Sequence, residues 1–316
     1  MNIAILGFGT IGSGVYELIE KDTKNDLHAV KVLDIRDLSG TPAAGIVTKE
    51  IRDITENADI ELVVETMGGE HPAYEFVKAC LEAGKHVVTS NKNLVAAYGA
   101  ELMAIAAERE RHFLFEAAVG GAIPVIRAMT ESLQGEVIIG IRGILNGTTN
   151  FILTKMDAEG VGYEDALKDA QKLGYAEADP TADVGGWDAC RKIAILASIM
   201  SGRKIEYKDI PTEGITKITA ADIEKAKADG KAIKLIAGAT LENGVVTARV
   251  QPELVGYDDA LHSVKDSYNA VEVIGEGCEK LMFYGRGAGK LPTASAVLGD
   301  IIEAKNMPPR KEALWK

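Results

Sequence analysis

NIAILGFGTIGSGVYELIEKDTK, residues 2–24, decides the fold of the chain. Asn2–Leu6 is an apolar run of strand length, Gly7-Phe8-Gly9-Thr10-Ile11-Gly12 follows without a break, and a helix is expected from Ser13 to Lys24. Strand, glycines and helix in that order make the fingerprint of a dinucleotide-binding unit. The first glycine permits the tight turn, the second lets a pyrophosphate approach the backbone, and the third lets helix and strand pack closely. Thr10 and Ile11 lie where the N–H groups and positive dipole end of the helix meet the phosphates. A plain glycine turn in an α/β domain is the simpler alternative.

Working outward, the strand His28–Leu33 ends on Asp34, about twenty residues past the glycines, where a carboxylate can take the adenosine ribose hydroxyls. That favours NAD. Arg36, two residues on, can receive a 2′-phosphate, so NADP stays open. Residues 40–58 are irregular and polar. The strand Ile60–Glu65 then leads to Thr66-Met67-Gly68-Gly69, and His86–Thr89 leads to Ser90-Asn91-Lys92. Strand C-termini of a doubly wound sheet face the cofactor crevice, which puts Thr66, Ser90 and Lys92 near the nicotinamide half. A lysine there can instead be an ordinary solvated cation. Helices are expected at 72–83 and 98–111, and the turn Glu116–Ile123 reads from its residues as a hinge loop.

A second domain is expected to open at Glu136 with the strand VIIGIRGIL, followed by Asn146-Gly147-Thr148-Thr149-Asn150 at the start of a helix. A hydroxyl cap accounts for Thr148 by itself. The helix Tyr163–Leu173 ends at Gly174 and delivers GYAEADPTADVGGWDACRK, residues 174–192. Asp183 is expected to cap a helix of about five turns, Val184–Ser201, apolar on nearly every side. Within it Asp188 and Lys192 share a face. Such a pair is common and weak on a surface. In a helix this apolar, however, a desolvated lysine can serve as general acid or base. Glu177, in the loop closed by Pro180, can bring another carboxylate over the first turns, and a substrate with an ammonium group suits such a pocket. Further on come a helix at 220–229, a hairpin around Glu242-Asn243-Gly244, a strand pair at 270–274 and 280–284, and a glycine loop, Gly285–Gly289, before a helix at 292–304.

The composition agrees with a globular protein of two domains: 316 residues, 47% apolar and 26% charged. A net charge of −12 argues against nucleic acid or an anionic membrane as partner. No apolar run approaches the roughly twenty residues of a membrane span. Cys80, Cys190 and Cys278 are odd in number and far apart, as fits reduced thiols in the cytoplasm.

The pattern A-x3-G-Y-A-x2-D-P-x2-D-V-x-G-x-D-x3-K, here Ala170–Lys192, resembles the signature of homoserine dehydrogenases. LNGTTNFIL at 145–153, Ser90-Asn91-Lys92 and the Gly285–Gly289 loop match the same family, so the resemblance spans essentially the whole chain. It implies reversible NAD(P)-dependent reduction of L-aspartate 4-semialdehyde to L-homoserine, at the branch toward threonine and methionine. On this basis Lys192 exchanges the alcohol proton and Asp188 positions Lys192 or the substrate. Gly174 and Glu177 hold the amino-acid end, Lys92 contacts cofactor and substrate, and Thr148 lines the pocket. Gly289 contacts the dinucleotide alongside Gly7, Gly9, Thr10, Ile11, Gly12, Asp34, Arg36, Thr66 and Ser90. The resemblance also implies a monovalent cation such as sodium at Glu116, Val119, Gly121 and Ile123, and a homodimer through the second domain. The expected architecture is α/β: a Rossmann-type, doubly wound nucleotide-binding domain (1–130 and 286–316) and an α+β catalytic and dimerisation domain with a sheet floor (131–285). A C-terminal regulatory domain, carried by many family members, is not expected. Two alternatives are another amino-acid-linked reductase on the same scaffold, and a nucleotide sensor without turnover. The first has no reason to carry the Asp188–Lys192 spacing, and the second no reason to keep a general acid.

Overall fold

In the computed structural model, which describes residues 1–316, Asn2–Leu6 (β1) is a central strand of a six-stranded parallel sheet. The others are His28–Leu33 (β2), Val47–Thr48 (β3), Leu62–Glu65 (β4), His86–Thr89 (β5) and Phe113–Leu114 (β6), in the order β3-β2-β1-β4-β5-β6. That is the doubly wound order with the reversal at β1/β4. Its strands are near-continuous apolar runs because both faces are covered. Ile3, Ile5, Val64 and Val88 pack with Val15 and Ile19 of α1 (Thr10–Lys21).

Three departures from the sequence reading have local causes. The first helix runs Thr10–Lys21 rather than 13–24, since its first turn is built from the fingerprint itself and Asp22 has left helical geometry. Residues 40–58 hold the edge strand β3 and a short helix, α2 (Arg52–Thr55). After α3 (Ala73–Glu82), helix α4 spans Lys92–Glu108 rather than 98–111, because the Asn91 side chain caps it by accepting from the N–H groups of Asn93 and Leu94.

The chain divides into two units, Met1–Ala122 with Ala288–Lys316, and Ile123–Gly287. The crossing therefore precedes the expected boundary at residue 130, as α5 (Val125–Arg127) runs into a turn, Ala128–Ser132, that packs within the second unit. The second unit's sheet is antiparallel: Ile138–Ile144 (β7), Lys231–Glu242 (β8), Val245–Gly256 (β9), Tyr268–Gly275 (β10) and Glu279–Arg286 (β11), ordered β11-β10-β7-β8-β9. Asn243 and Gly244, both at positive φ, make the β8–β9 hairpin turn. The helices of this unit are α6 (Gly147–Glu159), α7 (Tyr163–Lys172), α8 (Thr181–Val184), α9 (Trp187–Ser201) and α10 (Ala220–Ala228); α6, α9 and α10 pack on the sheet. In the first unit α11 (Lys290–Asn306) packs on α1. No helix is long and apolar enough to cross a membrane.

Candidate active site

The expected helix from Val184 to Ser201 is broken, and the break builds the site. Gly185 and Gly186 interrupt it, Gly186 at φ +84°, so that α8 stops at Val184 and α9 starts at Trp187. The Val184 carbonyl, which an unbroken helix would use internally, accepts instead from the N–H of Ile215. In a continuous helix Asp183 and Asp188 would lie roughly 140° apart around the axis. The break turns both toward one side chain: Asn146 Nδ2 donates to Asp183 Oδ1 and to Asp188 Oδ2, each at 2.8 Å. Asn146 Oδ1 meanwhile caps α6 by accepting from Thr149 N at 2.8 Å. Asp183 is thus a buried-cluster carboxylate, not the N-cap it was expected to be.

Lys192 completes the cluster. Its Nζ donates to Asp188 Oδ2 at 2.8 Å and to the Leu145 carbonyl at 2.7 Å, and the residue is 8% exposed. Burial raises the pKa of Asp183 above the usual carboxylate range and the charge of Asp188 adds to it, against lowering contributions from Asn146, Lys192 and Thr148. Asp183, Asp188, Asn146 and Lys192 thus form one hydrogen-bonded group. Thr148 Oγ1 lies 2.6 Å from the Tyr175 carbonyl and 3.1 Å from Asp183 Oδ2, which ties the loop after Gly174 to the cluster.

In the first unit, Gly7 stands at φ +88° and the N-terminus of α1 has no side-chain cap. Nothing lies within 4 Å of a Cβ built on Gly9, which leaves the approach to that N-terminus open for a phosphate. Asp34 accepts from Phe8 N at 2.7 Å, from Arg36 Nε at 2.9 Å and from Arg36 Nη2 at 2.6 Å; the guanidinium holds its carboxyl well below the usual range. These residues fit a nicotinamide dinucleotide.

Residues 124–302 match the family model for homoserine dehydrogenase, and residues 7–116 the model for the homoserine dehydrogenase NAD-binding domain. The homoserine dehydrogenase of Corynebacterium glutamicum is 46% identical over 96% of this chain and 72% of its own length. The chain belongs to the homoserine dehydrogenase family. A homoserine dehydrogenase structure from Thiobacillus denitrificans has a TM-score of 0.92 at 38% identity, covering 96% of this chain and 73% of that one. A hyperthermophilic archaeal homoserine dehydrogenase in complex with NADPH has 0.85 at 30% identity, covering 98% and 99%. This dehydrogenase is an NAD(P)-dependent oxidoreductase with a Rossmann-type domain.

The dehydrogenase places its other candidate residues unevenly. Thr66 turns its hydroxyl onto the Gly7 carbonyl at 2.8 Å and so clamps the fingerprint turn. Ser90 donates its N–H to the Glu65 carbonyl, and Lys92 is the first residue of α4. Gly289, at φ +129°, is the N-cap of α11. Glu177 is exposed, and its backbone carbonyl accepts from Gln171 Nε2; the carboxylate that joins Asp188 and Lys192 is Asp183. Gly174 is exposed at φ +78°. Glu116 and Val119 are buried and Gly121 has φ +55°, while Ile123 opens the second unit.

Two roles were not read from the sequence of this dehydrogenase. The bridging of Asp183 and Asp188 by Asn146 joins residues 37 and 42 positions apart and leaves no local signal in its motif. Glu65, fully buried with its pKa raised by burial, accepts from Met67 N at 2.7 Å, Thr89 Oγ1 at 2.5 Å and Asn91 Nδ2 at 3.4 Å, so it joins the loops after β4 and β5. Its signal is a carboxylate ending the otherwise apolar strand LVVE just before a glycine loop.

Proposed function

We propose that Lys192 is the proton donor and acceptor of the homoserine dehydrogenase reaction. The observation that carries this is the lysine's burial between Asp188 and the Leu145 carbonyl, beside the second carboxylate Asp183. A nicotinamide held at the glycine fingerprint would supply the hydride for reduction of L-aspartate 4-semialdehyde and receive it in the oxidation of L-homoserine. As the carbonyl becomes an alkoxide, a Lys192 N–H passes its proton to that oxygen; in oxidation the neutral amine removes the alcohol proton. Asp188 holds Nζ in place. Gly174 with Glu177 hold the amino-acid end. Homoserine should reduce NAD or NADP, read from the absorbance of the reduced nicotinamide. Cofactor binding without turnover would sink the reading.

Asp183 supplies a prediction in which stability and activity separate. Its folded pKa is raised, so between its unfolded and folded values the native state holds more protons, and stability falls as pH rises through that window. Asp183→Asn removes that cost. Its Tm should match or exceed wild type at pH 7, and the difference should shrink as pH drops toward 4. Turnover should fall by about 10²-fold through misplacement of Asn146 and Thr148. A variant less stable than wild type at pH 7 yet fully active would contradict this.

Cofactor preference belongs to the same proposal. The Arg36 guanidinium that would meet a 2′-phosphate is occupied by the Asp34 carboxylate that would meet a 2′-hydroxyl. Asp34→Ser releases it. The kcat/KM ratio for NADP over NAD should rise about 10- to 100-fold, the size of one charge-assisted hydrogen bond. An unchanged ratio would remove Arg36 from the argument.

The reading also includes cytoplasmic action toward threonine and methionine, to which a deletion strain auxotrophic for neither would be a counterexample. It includes a homodimer through the second unit, supported by exposed Leu254, Met282 and Tyr284 on β9 and β11. Sedimentation velocity tests that. The cation expected at Glu116, Val119, Gly121 and Ile123 predicts lower turnover when sodium and potassium are replaced by choline.

A further inference from the structure

A cavity of about 160 Å³ at the C-terminal end of α6 is lined by Lys227, Lys231, Lys234, Lys265 and Asp157, among others. Asp157 lies roughly 16 Å along the helix from Asn146, so this is not the site described above. Four lysines and Asp157 line the cavity and Asp266 also acts on Lys234, so cations outnumber carboxylates here, in a chain whose net charge is −12. A concentration of positive charge against that background draws anions to the cavity.

The lining is built rather than incidental. Lys234 is 3% exposed, and its Nζ donates to Asn150 Oδ1 at 3.0 Å and to the Val264 carbonyl at 2.5 Å. An ammonium has three donors, so one is left for the cavity. Burial pulls this lysine down to about 8, a cost that an apolar side chain in the same place would avoid. Lys227 Nζ leans on a neutral partner, the Asp157 carbonyl, at 2.9 Å. Lys231 and Lys265 are exposed and carry no ion pair. Tyr257 and His262, with ring centroids 4.4 Å apart, form one wall.

We propose that this cavity binds a compact phosphorylated small molecule. Lysines converging from α10, β8 and the turn before β10 act as point charges around a many-acceptor anion, and the lining has no arginine fork of the kind that matches a planar carboxylate. The volume equals that of about five waters, enough for a phosphate or diphosphate group.

The test is calorimetric titration of the whole protein with pyrophosphate, with NAD or NADP saturating so that the glycine fingerprint is already filled. One pyrophosphate should bind with a Kd in the millimolar range or tighter. Lys231→Glu with Lys265→Glu should weaken it at least about tenfold and leave Tm and homoserine turnover unchanged. The control pair Lys208→Glu with Lys217→Glu, also exposed in the second unit, should keep it. Succinate should bind at least about tenfold more weakly. No binding, or equal binding by the double variant, overturns the site; equal binding by succinate overturns its assignment to phosphorylated ligands.

Discussion

Lys192→Met should lower kcat by about 10²- to 10⁴-fold, the usual contribution of a positioned general acid, while the dinucleotide still binds. The expectation follows from geometry. The ammonium is 8% exposed and anchored by two hydrogen bonds, so water has little access to replace it as proton source. The same burial makes the variant less stable, because Asp188 loses the ammonium that donates to its Oδ2. Removing one member of a buried pair costs about 3–5 kcal/mol. Lys192→Met combined with Asp188→Leu should recover part of that stability and none of the activity, which separates folding from chemistry. Turnover within tenfold of wild type, in a folded variant, would show that the proton comes from elsewhere.

The second large effect is a contrast between two glycines of one turn. An added Cβ at Gly12 would stand 1.9 Å from the Gly7 carbonyl oxygen and 2.8 Å from Thr66 Oγ1. The first is backbone and cannot swing aside, so α1 must move off β1. Gly12→Ala should therefore cost about 3 kcal/mol, at the upper end of ordinary overpacking, and lower Tm accordingly. At Gly9 a Cβ meets nothing within 4 Å, and φ is −75°. Gly9→Ala should leave Tm unchanged but weaken dinucleotide binding at least about tenfold, because the methyl occupies the phosphate's approach. Thermal melts and cofactor titrations on both variants check this. Equal Tm losses would mean that Gly9 serves the fold, not the ligand.

Much of the first unit was legible because its signals are local. An apolar strand, a glycine turn and a helix N-terminus are consecutive in Asn2–Lys21, and their chemistry depends on backbone that neighbours in sequence supply. Helix boundaries were less so: the start of α4 turned on the Asn91 cap, which competes with strand-end loops that look alike in sequence.

The candidate active site divides along the same line. Asp188 and Lys192 could be paired from their spacing, since four residues on a helix make neighbours whatever surrounds them. Asp183 could not be placed, because its role depends on where the helix breaks. The break falls at Gly185 and Gly186, and the groups that then receive the exposed Val184 carbonyl and the turned carboxylates, Ile215 and Asn146, are distant in sequence. The bridging of both carboxylates by Asn146, and the sinking of Lys234 beneath α6, are contacts across long sequence separations. The sequence by itself determined the fingerprint, the family and the pairing of Asp188 with Lys192, because each is carried by residues close along the chain. Only the tertiary structure decided which carboxylate stands beside that lysine, since burial and charge depend on what packing brings together.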